Sequence, residues 1–536
     1  MLLELKKCRL IDGTNRSADL QSLWVREGLI VRAPNRGQAD KQIDLGGAIV
    51  MAGGIDLHTH IGGGKVNLAR MLMAGHGNLQ NPAGYVWPTA RNGELYAQMG
   101  YTACFEPAMM LSQARHTHLE LADTPYLDTG AYVVLGNEDW LLAALGGLED
   151  VDLRTLVAWS VSASQALAVK VVNPGGINAF KFNCRALAID ELHPVYGVTP
   201  RDVIRRLSAA VDDLKLPHPL HVHASNLGVP GNIESTLATL KAAEGRRLHL
   251  THAQFNCYSG PFSTDDIGYA MGSGAEQLSR YVNANSNISL DVGQVVFGQT
   301  VTISADEAAQ YRNHIHASPK RWIVSDTECQ AGCGVVPMRY SDRQYVHSLQ
   351  WAIGLELLLL IDDPWRVFLT TDHPNGGPFT SYPHLIRLLM DRSFRQSKLA
   401  EVHPQVANRS LLRELDREYS LEEIAIITRA APAKILGLSD RGSLEPEKRA
   451  DIVAYHVKSD WEATFSQAQL VLKGGCEILR DGSLTGLRGP KQTLTTRPEF
   501  DELHSLRWQA EIEQWLHLPA ESLIISNDEL AGMQHL

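Results

Sequence analysis

Cysteine is scarce in this chain: there are seven in 536 residues, at positions 8, 104, 184, 257, 329, 333 and 476. So few, odd in number and widely spaced, exclude a disulfide framework and fit a reducing compartment. Only Cys329 and Cys333 are close together, in TECQAGCG, and without a second pair they read as an ordinary loop rather than half of a zinc knuckle. Positive charge is in deficit. The 49 Lys and Arg against 60 Asp and Glu leave a formal charge of -11, which disfavours general affinity for phosphate backbones or anionic lipid, so nucleic acid is not an expected partner. Long apolar runs are missing too. The opening MLLELKKCRLIDG is charged where a signal peptide is apolar, and the most apolar later segment, WAIGLELLLLIDD, carries Glu356 and is shorter than a membrane span. The expectation is a cytoplasmic protein with no membrane partner.

What is present has two textures. Residues 1–50 hold short apolar runs between turn signals such as Asp12-Gly13 and Glu27-Gly28, and the texture returns over 436–482. These two stretches predict one small β-sandwich built from both chain ends. Between them, over 51–435, short apolar runs ending in polar residues alternate with helical spacing: GIDLHTH, YTACFEP, GAYVVLGN, INAFKFN, PLHVHASN, RLHLTHAQ, NISLDVGQ and RVFLTTDHP. Eight such units predict an α/β fold, a parallel (β/α)8 TIM barrel with its chemistry at the C-terminal ends of the strands. An insertion over 299–365, with a helix near Tyr345 to Ile361, is expected to cover the barrel mouth or a neighbouring chain. The tail, 483–536, is expected to be partly helical, with Trp508, Ile512, Trp515 and Leu516 on one face.

Residues two apart in a strand face the same way, so His58 and His60 in DLHTH project together and can grip one metal ion. Three more strand ends repeat the theme: His221 and His223, His249 and His252, and Asp372 with His373. Imidazole and carboxylate donors without thiolates suit an open, catalytic zinc or similar site. Lys181 in INAFKFN is placed at the same rim. An ammonium would repel cations there, whereas a lysine carboxylated by CO2 is an anion able to bridge two metals. A salt-bridged or substrate-binding lysine is the alternative. His221, His249 and His373 read as outer partners of the ligands. Gly62, Gly63 and Gly64 would let backbone approach a substrate, with a plain glycine turn equally consistent. Lys65, Asn67 and Asn173, the last in the rim loop NPGG, are candidate substrate contacts.

This pattern resembles the amidohydrolase superfamily in its dihydroorotase and hydantoinase branch. DLHTHIGGGKVNLAR, VKVVNPGGINAFKFN, LHVHASNLGVPGN, THAQFNCYSG and TTDHPNGGPFTSYP, in that order, are similar to the amidohydrolase-type subunit of the formylmethanofuran dehydrogenases and of the bacterial formyltransferase/hydrolase complexes. The resemblance implies His58, His60, Lys181, His223, His252 and Asp372 as ligands of two Zn2+ bridged by N6-carboxylysine at Lys181, with Asp372 also the proton carrier. Lys170 is the alternative bridging lysine; Lys181 is preferred because INAFKFN resembles the hydantoinase strand-four motif. The implied reaction interconverts N-formylmethanofuran (or formylmethylofuran) plus water with formate plus the free amine. The implied partners are the other subunits of such a complex and a methanofuran-type cofactor as substrate. The rival readings are a stand-alone hydantoinase or N-acyl amidohydrolase, and a metal-free scaffold subunit.

Overall fold

Short runs rich in Val, Ile and Leu, buried on both faces, form the strands of a parallel barrel in the computed structural model. The structure describes residues 1–536 except 14–18, 35–37, 77–85, 148–149, 185–186, 262–269, 305–306, 325–332 and 531. The barrel strands are β1 (Gly54–Asp56), β2 (Tyr101–Met109), β3 (Asp128–Val134), β4 (Ala168–Val172), β5 (Leu220–His223), β6 (Leu248–Leu250), β7 (Ile288–Asp291) and β8 (Val367–Phe368). Each pairs in parallel with the next. Closure comes just beyond the strand ends, where Thr59 bridges His373 in parallel and the His60 N–H donates to the His373 carbonyl at 2.7 Å.

Strand four differs from expectation. INAFKFN is no strand: Gly176–Ala179 is a helical turn and Phe180–Phe182 a 3-10 turn. The strand is the preceding AVKVV. Asn173 (φ 41°) and Gly175 (φ 68°) both adopt left-handed backbone directly after it, which turns the chain off the barrel before Gly176. The outer helices follow local signals. Pro200–Asp213 starts at a capping box in which Thr199 and Asp202 satisfy each other's backbone, with Pro200 in the first turn.

The segment between β7 and β8 divides into two parts. Tyr345–Leu360 is a helix, buried nearly all round, that packs on the helix Ala275–Ala284 and whose first turns, at Val346, His347 and Gln350, line the cavity at the mouth. Its one charge, Glu356, accepts from the Ser410 hydroxyl at 2.7 Å and the Leu411 N–H at 2.9 Å. Ahead of it Gly298–Ser304, Gly334–Tyr340 and Ile323–Val324 form a three-stranded antiparallel sheet. Cys333 is buried at the start of that sheet, whereas Cys329 lies outside the described residues.

Both chain ends contribute to a nine-stranded mixed sheet. Ile49–Ala52 pairs antiparallel with Ile452–Tyr455, and Leu5, Val25, Ile43, Val50, Ile452 and Leu472 share one core. The tail returns to the barrel: Thr493–Thr495 lies parallel to β3 at Thr129 and to Met533–His535. Of the face foreseen on the helix Glu502–Leu516, Trp508 and Ile512 are buried, while Trp515 is 45% exposed. Among the described residues no helix is long and apolar enough to cross a membrane.

Barrel, sheet and tail meet at a buried ion cluster. Lys473 Nζ lies 2.5 Å from Asp128 at the start of β3 and 2.8 Å from Asp451, Arg441 also contacts Asp128, and the Gln492 N–H donates to Asp128 at 2.8 Å. Removing one partner strands the others away from water. Lys473→Ala is therefore expected to cost about 3–5 kcal/mol, read as a lowered urea midpoint, against less than about 0.5 kcal/mol for Arg280→Ala at the exposed pair with Glu276. Equal midpoints for the two variants would contradict the assigned role of the cluster.

Candidate active site

The cluster at the mouth is built by period-two geometry on the extended chain beyond β1. His58 and His60 both turn inward, and each presents its two ring nitrogens differently. The His60 Nδ1 lies 2.7 Å from Glu106 on β2, and the His58 Nδ1 lies 2.5 Å from the Thr251 hydroxyl, 3.0 Å from His221 Nε2 and 3.3 Å from Asp291 on β7. Each Nε2 then faces the same atom, Asp372 Oδ1, at 3.0 Å from His58 and 3.2 Å from His60. A carboxylate behind the ring and a free nitrogen in front is how a metal-binding histidine is oriented. Donor atoms of His58, His60 and Asp372 lie within 4.8 Å of one another, and all three residues are buried.

The remaining ligand candidates separate. His223 on β5 and His252 after β6 stand edge to face with ring centroids 4.5 Å apart, and His252 Nδ1 is buried with no hydrogen-bond partner. Both line a cavity of about 550 Å3 together with His60, Lys65, Lys170 and Asp372. Lys181 is not among them. It sits on the turn beyond the rim, with its Nζ 2.7 Å from Asp139, so the carbamate bridge expected there has no counterpart in its position. The lysine at the cluster is Lys170, 2% exposed on β4, one strand over from His221 in register. Burial drives its pKa down to about 8.

The electrostatics follow from burial and these pairings. Burial pushes His60 downward, but the charges of Glu106 and Asp372 and the bonds to both carboxylates lift it to about 9. His252, by contrast, falls to about 3 through burial. Asp372 is held well below the usual carboxylate range, its burial outweighed by His58 and His252 beside it.

Three non-glycine residues at the rim adopt left-handed backbone: Asn173 (φ 41°), His252 (φ 35°) and Asp372 (φ 47°). Such conformations cost about 1–3 kcal/mol each and persist where the surroundings hold them. Here the His252 N–H donates to Asp291 at 3.0 Å, and the Asn375 N–H donates to the Asp372 carbonyl at 2.7 Å. The glycines of HPNGG serve packing: a Cβ on Gly376 would lie 2.6 Å from the Gln294 and Gly293 carbonyls.

The backbone after His60 is turned toward carboxylates of the chain itself: the Ile61 and Gly62 N–H groups donate to Glu106 and the Gly63 N–H donates to Glu120 at 2.9 Å. Asn67 is engaged away from the cavity, by Glu120 and by Arg70 at 2.8 Å. Both side-chain polar atoms of Asn173 are buried without a hydrogen-bond partner. Of the outer histidines, His221 Nε2 lies 3.0 Å from His58 Nδ1, His249 Nε2 lies 3.1 Å from Asp291, and His373 stacks on Trp87 with centroids 5.7 Å apart. Sequence reasoning passed over Glu106 and Asp291, although both stand near the ends of runs that it singles out, YTACFEP and NISLDVGQ.

The family model described as "Amidohydrolase family" matches residues 41–482. The Fhc A-subunit of the formyltransferase/hydrolase complex of Methylorubrum extorquens is 45% identical over 516 residues, spanning 94% of this chain and 92% of that protein. Protein FwdA of Methanocaldococcus jannaschii is 38% identical over 505 residues, 88% of this chain and 87% of that protein. Among solved structures, the formyltransferase/hydrolase complex FhcABCD from Methylorubrum extorquens, in complex with methylofuran, contains a chain that superposes with a TM-score of 0.93 at 41% identity, covering 100% of this chain and 99% of that one. A D-aminoacylase mutant at 14% identity and a TM-score of 0.50, covering 92% and 99%, shares the fold alone. The chain belongs to the amidohydrolase family, and within it groups with the Fhc A-subunit and FwdA.

Proposed function

We propose that this chain is the hydrolytic subunit of a formylmethanofuran dehydrogenase or formyltransferase/hydrolase complex, and that it interconverts N-formylmethanofuran, or formylmethylofuran, plus water with formate plus the free amine. The observation that carries this reading is the convergence of His60, His223, His252, Lys170 and Asp372 on one cavity, with His58 against Asp372 behind it. The likeness to a chain of a four-subunit complex solved with methylofuran supports the substrate class and the multi-subunit setting.

The donor set, neutral imidazoles with one carboxylate and one buried lysine, fits one or two zinc ions. Bound there, such cations supply polarisation of the formyl carbonyl and a lowered pKa for water. Lys170, buried at the cavity, is the residue that would supply an anionic ligand there if carboxylated by CO2, in place of Lys181. Glu106 and Asp291 hold the His60 and His58 rings from behind. Asp372 accepts the proton of the attacking water and delivers it to the departing amine, which leaves neutral. Lys65, which lines the cavity, is the candidate contact to the polar parts of the substrate, whereas Asn173 is buried and does not line it.

Release of formate from N-formylfurfurylamine by the metal-loaded complex tests the reading; hydantoin turnover without deformylation, or a chain that retains no metal, would replace it. Lys170→Ala is expected to lower zinc content and to abolish a mass increase equal to one CO2, whereas Lys181→Ala leaves both unchanged; the reverse pattern restores Lys181. Asp372→Asn is expected to reduce kcat by about 10²–10⁴-fold with zinc content near wild type, and a wild-type kcat would remove Asp372 from proton transfer.

Metal uptake should depend on pH in a direction set by His60. In the metal-free protein its pKa lies at about 9, so at pH 7 the ring carries a proton that the metal must displace. Affinity should rise by at least about tenfold per pH unit toward pH 9, with protons released on binding from His60 and from Lys170. Calorimetry in two buffers of different ionisation enthalpy detects those protons; identical heats in both would contradict their release.

A further inference from the structure

The carboxylate at the centre of the cluster is held by something outside the barrel. Asp372 Oδ1, the atom faced by both His58 and His60, accepts a hydrogen bond at 3.0 Å from Asn375 Nδ2. The other end of that amide, Asn375 Oδ1, accepts from the Ile303 N–H at 2.7 Å. A backbone N–H can only donate, so the amide orientation is settled: oxygen toward Ile303, nitrogen toward Asp372. Ile303 belongs to Gly298–Ser304, the edge strand of the inserted sheet, whose inner side is paired with Gly334–Tyr340. Two more bonds come from the same sheet to this short loop: the Tyr340 hydroxyl donates to the Asn375 carbonyl at 3.1 Å, and the Thr300 hydroxyl to the Pro374 carbonyl.

The torsion that rotates an aspartate carboxylate is broad and roughly two-fold, so packing alone does not decide which oxygen faces the imidazoles. A directed donor does. We propose that Asn375 is a positioning residue through which the inserted sheet, together with the barrel histidines, sets the rotation of the Asp372 carboxylate. The inference rests on Asp372 acting at the reacting centre, as proposed above. It also assigns the insertion a part in the site beyond walling the cavity: displacement of the edge strand would release the carboxylate without moving any barrel strand.

The test uses the full chain in its complex, with three single variants and one double. Asn375→Asp keeps the size and the acceptor for Ile303 but loses the donor, so it separates positioning from filling. It and Asn375→Ala are each expected to lower kcat by about 10–100-fold, with KM within about twofold and thermal midpoints near wild type. Both should also lose zinc to a chelator about tenfold faster, a readout independent of turnover. Ile303→Pro removes the N–H at an edge strand, where proline is tolerated, and should reproduce part of the loss. The double variant Ile303→Pro with Asn375→Ala should be no worse than Asn375→Ala alone, because both act through one bond. A wild-type kcat and zinc release rate for Asn375→Asp, or additive losses in the double variant, would overturn the proposal. A wild-type complex that releases no formate would count against the proposed function instead, and the zinc-release comparison would then decide on Asn375.

Discussion

The backbone bond from the His60 N–H to the His373 carbonyl closes the barrel, and the site depends on that closure. It brings the chain leaving the first strand against the chain leaving the last, so that His58 and His60 on one side meet Asp372 on the other. Neither histidine could choose which nitrogen to present without a second constraint, and the barrel supplies it from neighbouring strands. Glu106 takes the Nδ1 of His60 and Asp291 lies against that of His58, leaving both Nε2 atoms in front. Burying two such carboxylates is costly unless each is saturated. Glu106 accepts three further backbone N–H groups, and Asp291 accepts from His249, the His252 N–H and the Thr370 hydroxyl.

The same carboxylates connect the orientation of the histidines to backbone strain. Asp291 holds His252 in its left-handed conformation through the His252 N–H, while its other oxygen stands behind His58. Close packing is used in the same way: a Cβ on Gly293 would lie 2.4 Å from the His252 Cβ, so glycine there lets the His252 turn sit against β7. The rim is thus over-determined, which is the condition under which strained positions persist.

Beyond the rim, the fold separates stability from specificity. Barrel, two-ended sheet and tail are joined through Lys473, Asp128, Asp451 and Arg441, far in sequence from the histidines. The cavity wall, by contrast, draws on the inserted sheet, which supplies Thr302, Ile303, Met338 and Arg339. Amidohydrolase barrels at 14% identity share the architecture alone, and it is this inserted sheet that walls the cavity on one side.

By itself the sequence determined the barrel, because seven of the eight apolar runs are strands, and it determined the His-x-His pair, because period two leaves His58 and His60 no other relation than a shared face. It also contained the signal for the fourth strand. NPGG reads as a rim loop, and a rim loop follows its strand, which points to AVKVV rather than INAFKFN. Lys170 and Lys181 have similar apolar neighbours, so local pattern does not separate them. The left-handed turn at Asn173 and Gly175 does, by ending the strand before Lys181 is reached. Only the tertiary structure could decide the outer partners. Glu106, Asp291 and Asn375 gain their roles from neighbours on other strands and on the insertion, and strand adjacency and side-chain contact are fixed by closure and packing, not by spacing along the chain.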